Sequence, residues 1–297
     1  MDGVLAHGVR RSFGQVHAVR GIDLTAQPGE VTALVGPNGA GKTTLLLVLA
    51  TLLVPDAGTV TVAGFDPVTQ ADEVRARMGW APDAFGLYDN LTCREYLEFC
   101  GRAMKLPHYV ARAGELLVLA RLEDKADLPV HTLSRGQKQR LGLMRALVHS
   151  PSVLLLDEPA SGLDPRSRVE LRELLRGLAG QGCAVIVSSH LLADLEELAD
   201  TVVFVDQGVT VGEHRLDALP PPATRTWRLR ALSMPPLVKA LRGTDHDEPT
   251  AAGIDVRLPS DEAAADLLAA LIGKGVRVVS CQPVGGQLEA TYLELTQ

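Results

Sequence analysis

The sequence has 297 residues, 46% hydrophobic and 22% charged, a length that suits one large domain plus a small one and a composition that excludes long disordered tracts. Lys and Arg total 29 against 36 Asp and Glu, a net charge of −7, which argues against a nucleic-acid surface because such surfaces are ordinarily basic. The four cysteines (Cys93, Cys100, Cys183, Cys281) form no CxxC pair and have no His at metal-ligand spacing, so free thiols in a reducing compartment are expected.

In chain order, the N-terminus lacks the apolar core of a signal peptide. Val4–Phe13, Val19–Leu24 and Glu30–Val35 are short, branched-rich or alternating, with Gly and Pro turns between them, and read as strands. After the apolar run Val31–Val35 comes Gly36-Pro37-Asn38-Gly39-Ala40-Gly41-Lys42-Thr43, then Thr44 inside an apolar helix expected over Lys42–Leu53. This is GxxxxGK[ST] between a strand and a helix, the context the motif requires. Its glycines let successive N–H groups curl inward around phosphate oxygens, and the following helix adds its positive end. Lys42 suits neutralisation of β- and γ-phosphates, and Thr43 suits a Mg²⁺ ligand. The longest strongly apolar run, Leu45–Val54, is short against the roughly 20 residues that a membrane-spanning helix needs. The chain is therefore not expected to cross a bilayer, and any membrane role would require another polypeptide.

The stretch Leu91–Leu122 has helical periodicity: Tyr96, Leu97 and Phe99 fit one helix, and Leu116, Leu117 and Leu119 another. Leu133-Ser134-Arg135-Gly136-Gln137 leads into a helix over Lys138–Val148, with Ser134 suited to cap it. The apolar strand Val153–Leu156 ends in Asp157 and Glu158. Neighbours on a strand point to opposite faces, so two acids here need two tasks. Asp157 suits Mg²⁺ binding, directly or through an intervening ligand, and Glu158 suits a general base on water. A helix over Arg166–Ala179, the strand Ala184–Val187 and then His190 complete an alternation of apolar strands and helices. That pattern implies a parallel sheet covered on both faces.

With these residues in this order the sequence resembles the ABC ATPase family, over residues 4 to about 215. The resemblance implies an α/β P-loop NTPase fold of ABC type, with a mixed β-subdomain, a RecA-like parallel core and an α-helical subdomain over about residues 84–150, within an ATPase domain spanning 1–218. It implies ATP and Mg²⁺ as cofactors. Leu133–Gln137 stands where the family has LSGGQ, with Arg135 at the third place. By resemblance Ser134, Arg135, Gly136 and Gln137 meet the triphosphate held by an opposite subunit. Ser161-Gly162-Leu163-Asp164 is similar to the D-loop at the dimer interface, and His190 to the switch histidine that reaches the γ-phosphate. Phe13 lies where the family stacks an aromatic on adenine; a core position in its strand is the other reading. Met78–Asp83 aligns with the Q-loop, but with Asp83 where the family has Gln. A carboxylate can still ligate Mg²⁺ while adding negative charge beside the triphosphate. Phe85, Leu87 and Tyr88 are the exposed-looking residues suited to carry motion to a membrane partner.

Leu219-Pro220-Pro221-Pro222-Ala223 marks a domain boundary, because three prolines continue neither a helix nor a central strand. Beyond it a small α/β domain is expected over 224–297, with strands Thr226–Leu232, Gly253–Leu258 and Val276–Cys281 and helices Pro235–Leu241, Asp261–Lys274 and Leu288–Leu295. Ser260 suits the N-cap of the second helix, and Leu267, Leu268, Leu271 and Ile272 its apolar face. The tail is similar to extensions of ATPases in drug-efflux or ABC-2-type systems. The expected machine is a head-to-tail homodimer on the inner face of the cell membrane, held there by a permease on a separate chain and exporting its cargo, with no nucleic acid as partner. The alternative is a soluble ABC ATPase that acts on nucleic acid or ribosomes. The interval between Thr43 and Ser134 lacks the sustained heptads of repair relatives, and the chain carries one ATPase domain where translation-factor relatives carry two.

Overall fold

The computed structural model describes residues 3–84, 86–190, 192–219, 224–284 and 286–295. Pro220–Pro222 and Ala223, read above as a boundary, and Phe85 lie outside the described residues. The chain divides into two compact units, Met1–Ala218 and Leu219–Gln297.

The first unit runs β1 (Val4–Phe13), β2 (Val16–Ala26), β3 (Val31–Val35), α1 (Lys42–Leu49), β4 (Ala57–Val62), α2 (Ala71–Arg75), β5 (Met78–Ala81), α3 (Cys93–Ala103), α4 (Tyr109–Leu119), α5 (Arg135–Ala146), β6 (Val153–Asp157), α6 (Pro165–Gly180), β7 (Ala184–Ser189), α7 (Leu192–Glu196), β8 (Thr201–Asp206) and β9 (Val209–Arg215). Its nine strands form one sheet in the order β4-β1-β2-β9-β8-β3-β7-β6-β5. β8, β3, β7, β6 and β5 run parallel to one another. β1 is antiparallel to both its neighbours, and β9 to β8. Every residue of β3, β6 and β7 is buried, which is why these strands read as unbroken apolar runs rather than as alternation. The fold is the mixed α/β architecture that the resemblance implies. β4, β5, β8 and β9 go beyond the sequence reading. β5 has only four residues, and a β-carbon on its Gly79 would lie 2.2 Å from the carbonyl oxygen of Ala146.

Tyr96, Leu97 and Phe99 share α3, and Leu116, Leu117 and Leu119 share α4, as expected, but not all of them face inward. The inward stripe of α3 is Cys93, Tyr96, Leu97 and Cys100, and that of α4 with its C-cap is Ala113, Leu116, Leu117 and Ala120. Both follow the i, i+3, i+4, i+7 spacing of one helix face. Phe99 and Leu119 fall outside those stripes and are exposed. α1 ends at Leu49 rather than Leu53, since Thr51 turns into the left-handed region at φ 64°.

The second unit comprises β10 (Arg225–Ala231), α8 (Met234–Ala240), β11 (Ile254–Leu258), α9 (Asp261–Gly273), β12 (Val278–Pro283) and α10 (Gln287–Leu295). Its antiparallel sheet has the order β11-β10-β12. Leu229, Leu237, Leu241, Ile254, Val256 and Leu271 form its core. Ser260 caps α9, its hydroxyl accepting from the Ala263 N–H at 3.1 Å. The buried positions of α9 are Ala264 and Leu271, with Leu267 packed against the same core, whereas Ile272 is exposed.

Candidate functional site

In a parallel sheet all strands end on the same side, so loops leaving adjacent strands converge. β3, β7 and β6 are adjacent, with Val35 opposite Ser189 and Asp157 opposite Ser188. The loop 36–41, the pair Asp157-Glu158 and the segment Ser188–His190 are therefore brought to one edge. This edge is the ordinary ligand site of open α/β sheets.

Two positions of the loop admit only glycine. A β-carbon on Gly36 would lie 2.1 Å from the Val205 carbonyl oxygen, and one on Gly41 2.6 Å from that of Ala18, with Gly41 at φ 102°. Pro37, Asn38 and Gly39 are exposed at the tip, Ala40 is buried, and Thr44 is half-buried in the first turn of α1. Lys42 is 6% exposed. Its ammonium donates to the carbonyls of Gly36 at 2.7 Å and Pro37 at 3.1 Å. Burial lowers its pKa, while the charges of Glu158 and Asp157 pull the other way, with Glu158 Oε1 4.0 Å from Nζ.

Each oxygen of Asp157 has its own donor: the Thr43 hydroxyl to Oδ2 at 2.9 Å and the fully buried Ser188 hydroxyl to Oδ1 at 2.5 Å. Ser188 Oγ also accepts from the Glu158 N–H at 3.0 Å. Ser188 was not among the sequence candidates. Glu158 sits in the left-handed region at φ 49°, a backbone state uncommon outside glycine and enriched where side chains are aimed for function. Its Oε2 is 2.9 Å from His190 Nδ1. Lys42, Thr43, Asp157, Glu158 and His190 thus form one cluster. Thr43 Oγ1 and Asp157 Oδ2, two hard oxygen donors side by side, are the kind of ligands that Mg²⁺ takes.

The other candidates lie apart from that cluster: among the described residues, no hydrogen bond or ion pair joins Ser134, Arg135, Gly136 or Gln137 to it. Ser134 and Gln137 form a reciprocal cap on α5. The Ser134 hydroxyl accepts from the Gln137 N–H at 3.3 Å, and Gln137 Oε1 accepts from the Ser134 N–H at 2.9 Å, which leaves the remaining N–H groups of the first turn without helical partners. Asp164 caps α6 through Ser167, whose hydroxyl and N–H hold the Asp164 pKa down. Asp83 lines a cavity of about 450 Å³ with Leu87, Asp89, Arg135, Lys138 and Ser161, and no hydrogen bond joins it to Thr43 or Asp157 among the described residues. Tyr88 is exposed and stacks edge-on against Phe99, ring centroids 5.3 Å apart. Phe13, at the end of β1, is 46% exposed with the Arg11 guanidinium 5.0 Å from its ring centroid, so it is not a core residue.

One cluster was not anticipated. Glu170 of α6 receives Arg121, Arg140 and Arg166 at 2.7, 3.0 and 3.2 Å. No motif announces it, because its members come from three separate segments. A second tie joins α5 to the stretch after Glu158: Gln139 Nε2 donates to the Pro159 carbonyl.

Residues 19–161 match the family model described as ABC transporter. The chain is 41% identical to a Nod factor export ATP-binding protein I from Burkholderia lata, over 71% of this chain and 70% of that protein. It is 40% identical to the daunorubicin resistance ATP-binding protein DrrA3 from Streptomyces coeruleorubidus, over 73% and 69%. Among solved structures it superposes on the dimeric post-hydrolysis state of the ATP-binding cassette MJ0796 bound to ADP and Pi. That match has a TM-score of 0.65 and 27% identity and covers 72% of this chain and 98% of that one.

Proposed function

The chain belongs to the family of ABC transporter ATP-binding subunits, and from that premise we propose that it powers export through a separate membrane permease, with two copies closing head to tail on two ATP molecules. Its relatives, an export subunit and a drug-resistance subunit, support the direction of transport. Among the described residues no helix is long and apolar enough to cross a membrane, so a second chain supplies the path and holds this one at the inner face of the membrane.

The observation that carries the reading is the cluster at the carboxyl edge of β3, β6 and β7. Lys42 exchanges its bonds to the Gly36 and Pro37 carbonyls for β- and γ-phosphate oxygens, and the loop's N–H groups and the positive end of α1 take up the remaining phosphate charge. Thr43 and Asp157 would hold Mg²⁺, which would supply neutralisation of charge on the phosphates. Ser188 fixes the Asp157 carboxylate. Glu158 accepts a proton from water as the water oxygen attacks the γ-phosphorus and the bond to the bridging oxygen breaks, yielding ADP and phosphate. His190 holds Glu158 in place and reaches the γ-phosphate. Ser134, Gly136 and Gln137 close the site from the partner copy with the N-terminal end of α5. Phe13 offers an exposed π-face for adenine. Asp83 would offer the ion a further carboxylate oxygen on closure.

The test is Glu158→Gln. The variant is expected to bind ATP, to lose at least about a hundredfold of kcat as general-base variants do, and to accumulate as a dimer in ATP but not in ADP. A folded variant that stays monomeric in ATP overturns the head-to-tail reading.

A further inference from the structure

The His190 side chain is 46% exposed, so its aim at Glu158 depends on how the chain after it is held. That chain enters α7, and a ladder of ion pairs fastens it to α6. Arg168, Arg172 and Arg176 stand four residues apart, on one face of α6. Arg168 meets Asp194 of α7 at 3.2 Å. Just beyond α7, Glu197 meets Arg172, and Asp200 meets Arg176 at 2.6 Å.

The first rung does more than the other two. Arg168 Nε also donates to the Leu163 carbonyl at 3.2 Å, inside the Ser161–Asp164 loop that the resemblance puts at the dimer interface. One guanidinium thus spans that loop and the helix after His190, which its planar fork of donors allows. Arg168 and Asp194 also line a cavity of about 280 Å³ with Pro159, Ala160, Val187 and Leu195. Close-packed interiors resist sliding, whereas a void beside the bridge gives α7 room to shift and leaves the ion pair to set its place. Pro159 follows Glu158 directly, so the void borders the general base.

We propose that Arg168 is a positioning residue for hydrolysis: by holding the Leu163 carbonyl and Asp194 together it makes the interface loop and the His190 segment move as one, so that the seat of the loop sets the aim of His190 on Glu158. The proposal deepens the head-to-tail reading above and rests on it.

Steady-state ATPase activity of the full chain tests it. Arg168→Met keeps the stem and removes both bonds; kcat is expected to fall about tenfold, the worth of one hydrogen bond to a charged group, while KM for ATP stays within about twofold. Asp194→Ala should cost about the same, and the double variant no more than either single one, because the two side chains act in series. Arg168→Lys should recover part of kcat. Arg172→Met is the control. It breaks the next rung without touching the loop, so it should lower the urea midpoint by a similar amount yet keep the parent's kcat. Equal losses of kcat from Arg168→Met and Arg172→Met, additive losses from Arg168→Met and Asp194→Ala, or parental kcat in either of the latter two overturns the proposal alone. If Arg168→Met does not fold, Asp194→Ala against Arg172→Met decides in the same way. A Glu158→Gln protein that never dimerises in ATP overturns the reading on which the proposal rests.

Discussion

Lys42 is held in the fold at an electrostatic cost. Burial lowers its pKa from the ordinary 10.5, so the folded state binds that proton less tightly than the unfolded chain does. The protonated side chain therefore destabilises the fold at every pH below the lowered pKa, and the penalty fades as pH rises from that value toward 10.5. Phosphate charge bound beside the ammonium is expected to relieve that penalty. Lys42→Met keeps the stem and removes the charge. It is expected to leave the nucleotide-free protein as stable as the parent to within about 1 kcal/mol, the size of one net hydrogen bond. It should also abolish the rise in Tm that ATP gives the parent, a rise set by ligand concentration over Kd. Thermal unfolding with and without ATP checks both halves. A large loss of stability without nucleotide would mean that Lys42 is structural.

At the scale of elements, α5 carries two duties that one substitution pair separates. Ser134 is both the N-cap of α5 and a proposed phosphate contact. Ser134→Ala removes the cap and is expected to cost about 1 kcal/mol. Ser134→Asp keeps a good cap and so the stability, yet sets an anion where the partner's γ-phosphate must come, and ATP-dependent dimerisation should be lost. Urea midpoints together with light scattering in ATP distinguish the two; a Ser134→Asp protein that still dimerises removes Ser134 from the phosphate site. The Glu170 cluster ties α6 to α5 and to Arg121, just beyond α4. Glu170→Gln leaves the half-buried Arg140 without a charge partner and is expected to destabilise by about 2 kcal/mol, read from the urea midpoint. If the cluster also transmits motion between those helices, kcat falls while monomer affinity for ATP holds.

For the whole molecule, the two units have separate cores, and the P-loop, the Asp157 cluster and the α5 cap all lie within Met1–Ala218. A chain ending at Ala218 is expected to fold, to hydrolyse ATP and, with Glu158→Gln, to dimerise in ATP. Calorimetry should find two transitions in the full chain and one in the fragment. A fragment that folds but dimerises only at higher ATP would assign residues 219–297 to holding two copies together between cycles.

The sequence by itself determined whatever is written in consecutive residues. The Gly36–Thr43 loop, the acids ending β6, the caps Ser134 and Ser260 and the buried strands are all local, because backbone preference and short-range spacing encode them. The family followed from the order of those signals. Helix faces were legible only in part: Phe99, Leu119 and Ile272 are apolar but miss the inward stripe, and one residue's offset turns a side chain about 100° around the axis. Tertiary structure alone decided the rest. Ser188 meets Asp157 through strand register, Glu170 gathers arginines from three segments, and Arg168 finds Asp194 on α7. Apart from the i,i+4 pair Arg166–Glu170, these contacts join residues tens of positions apart, and no local preference of either partner records the other.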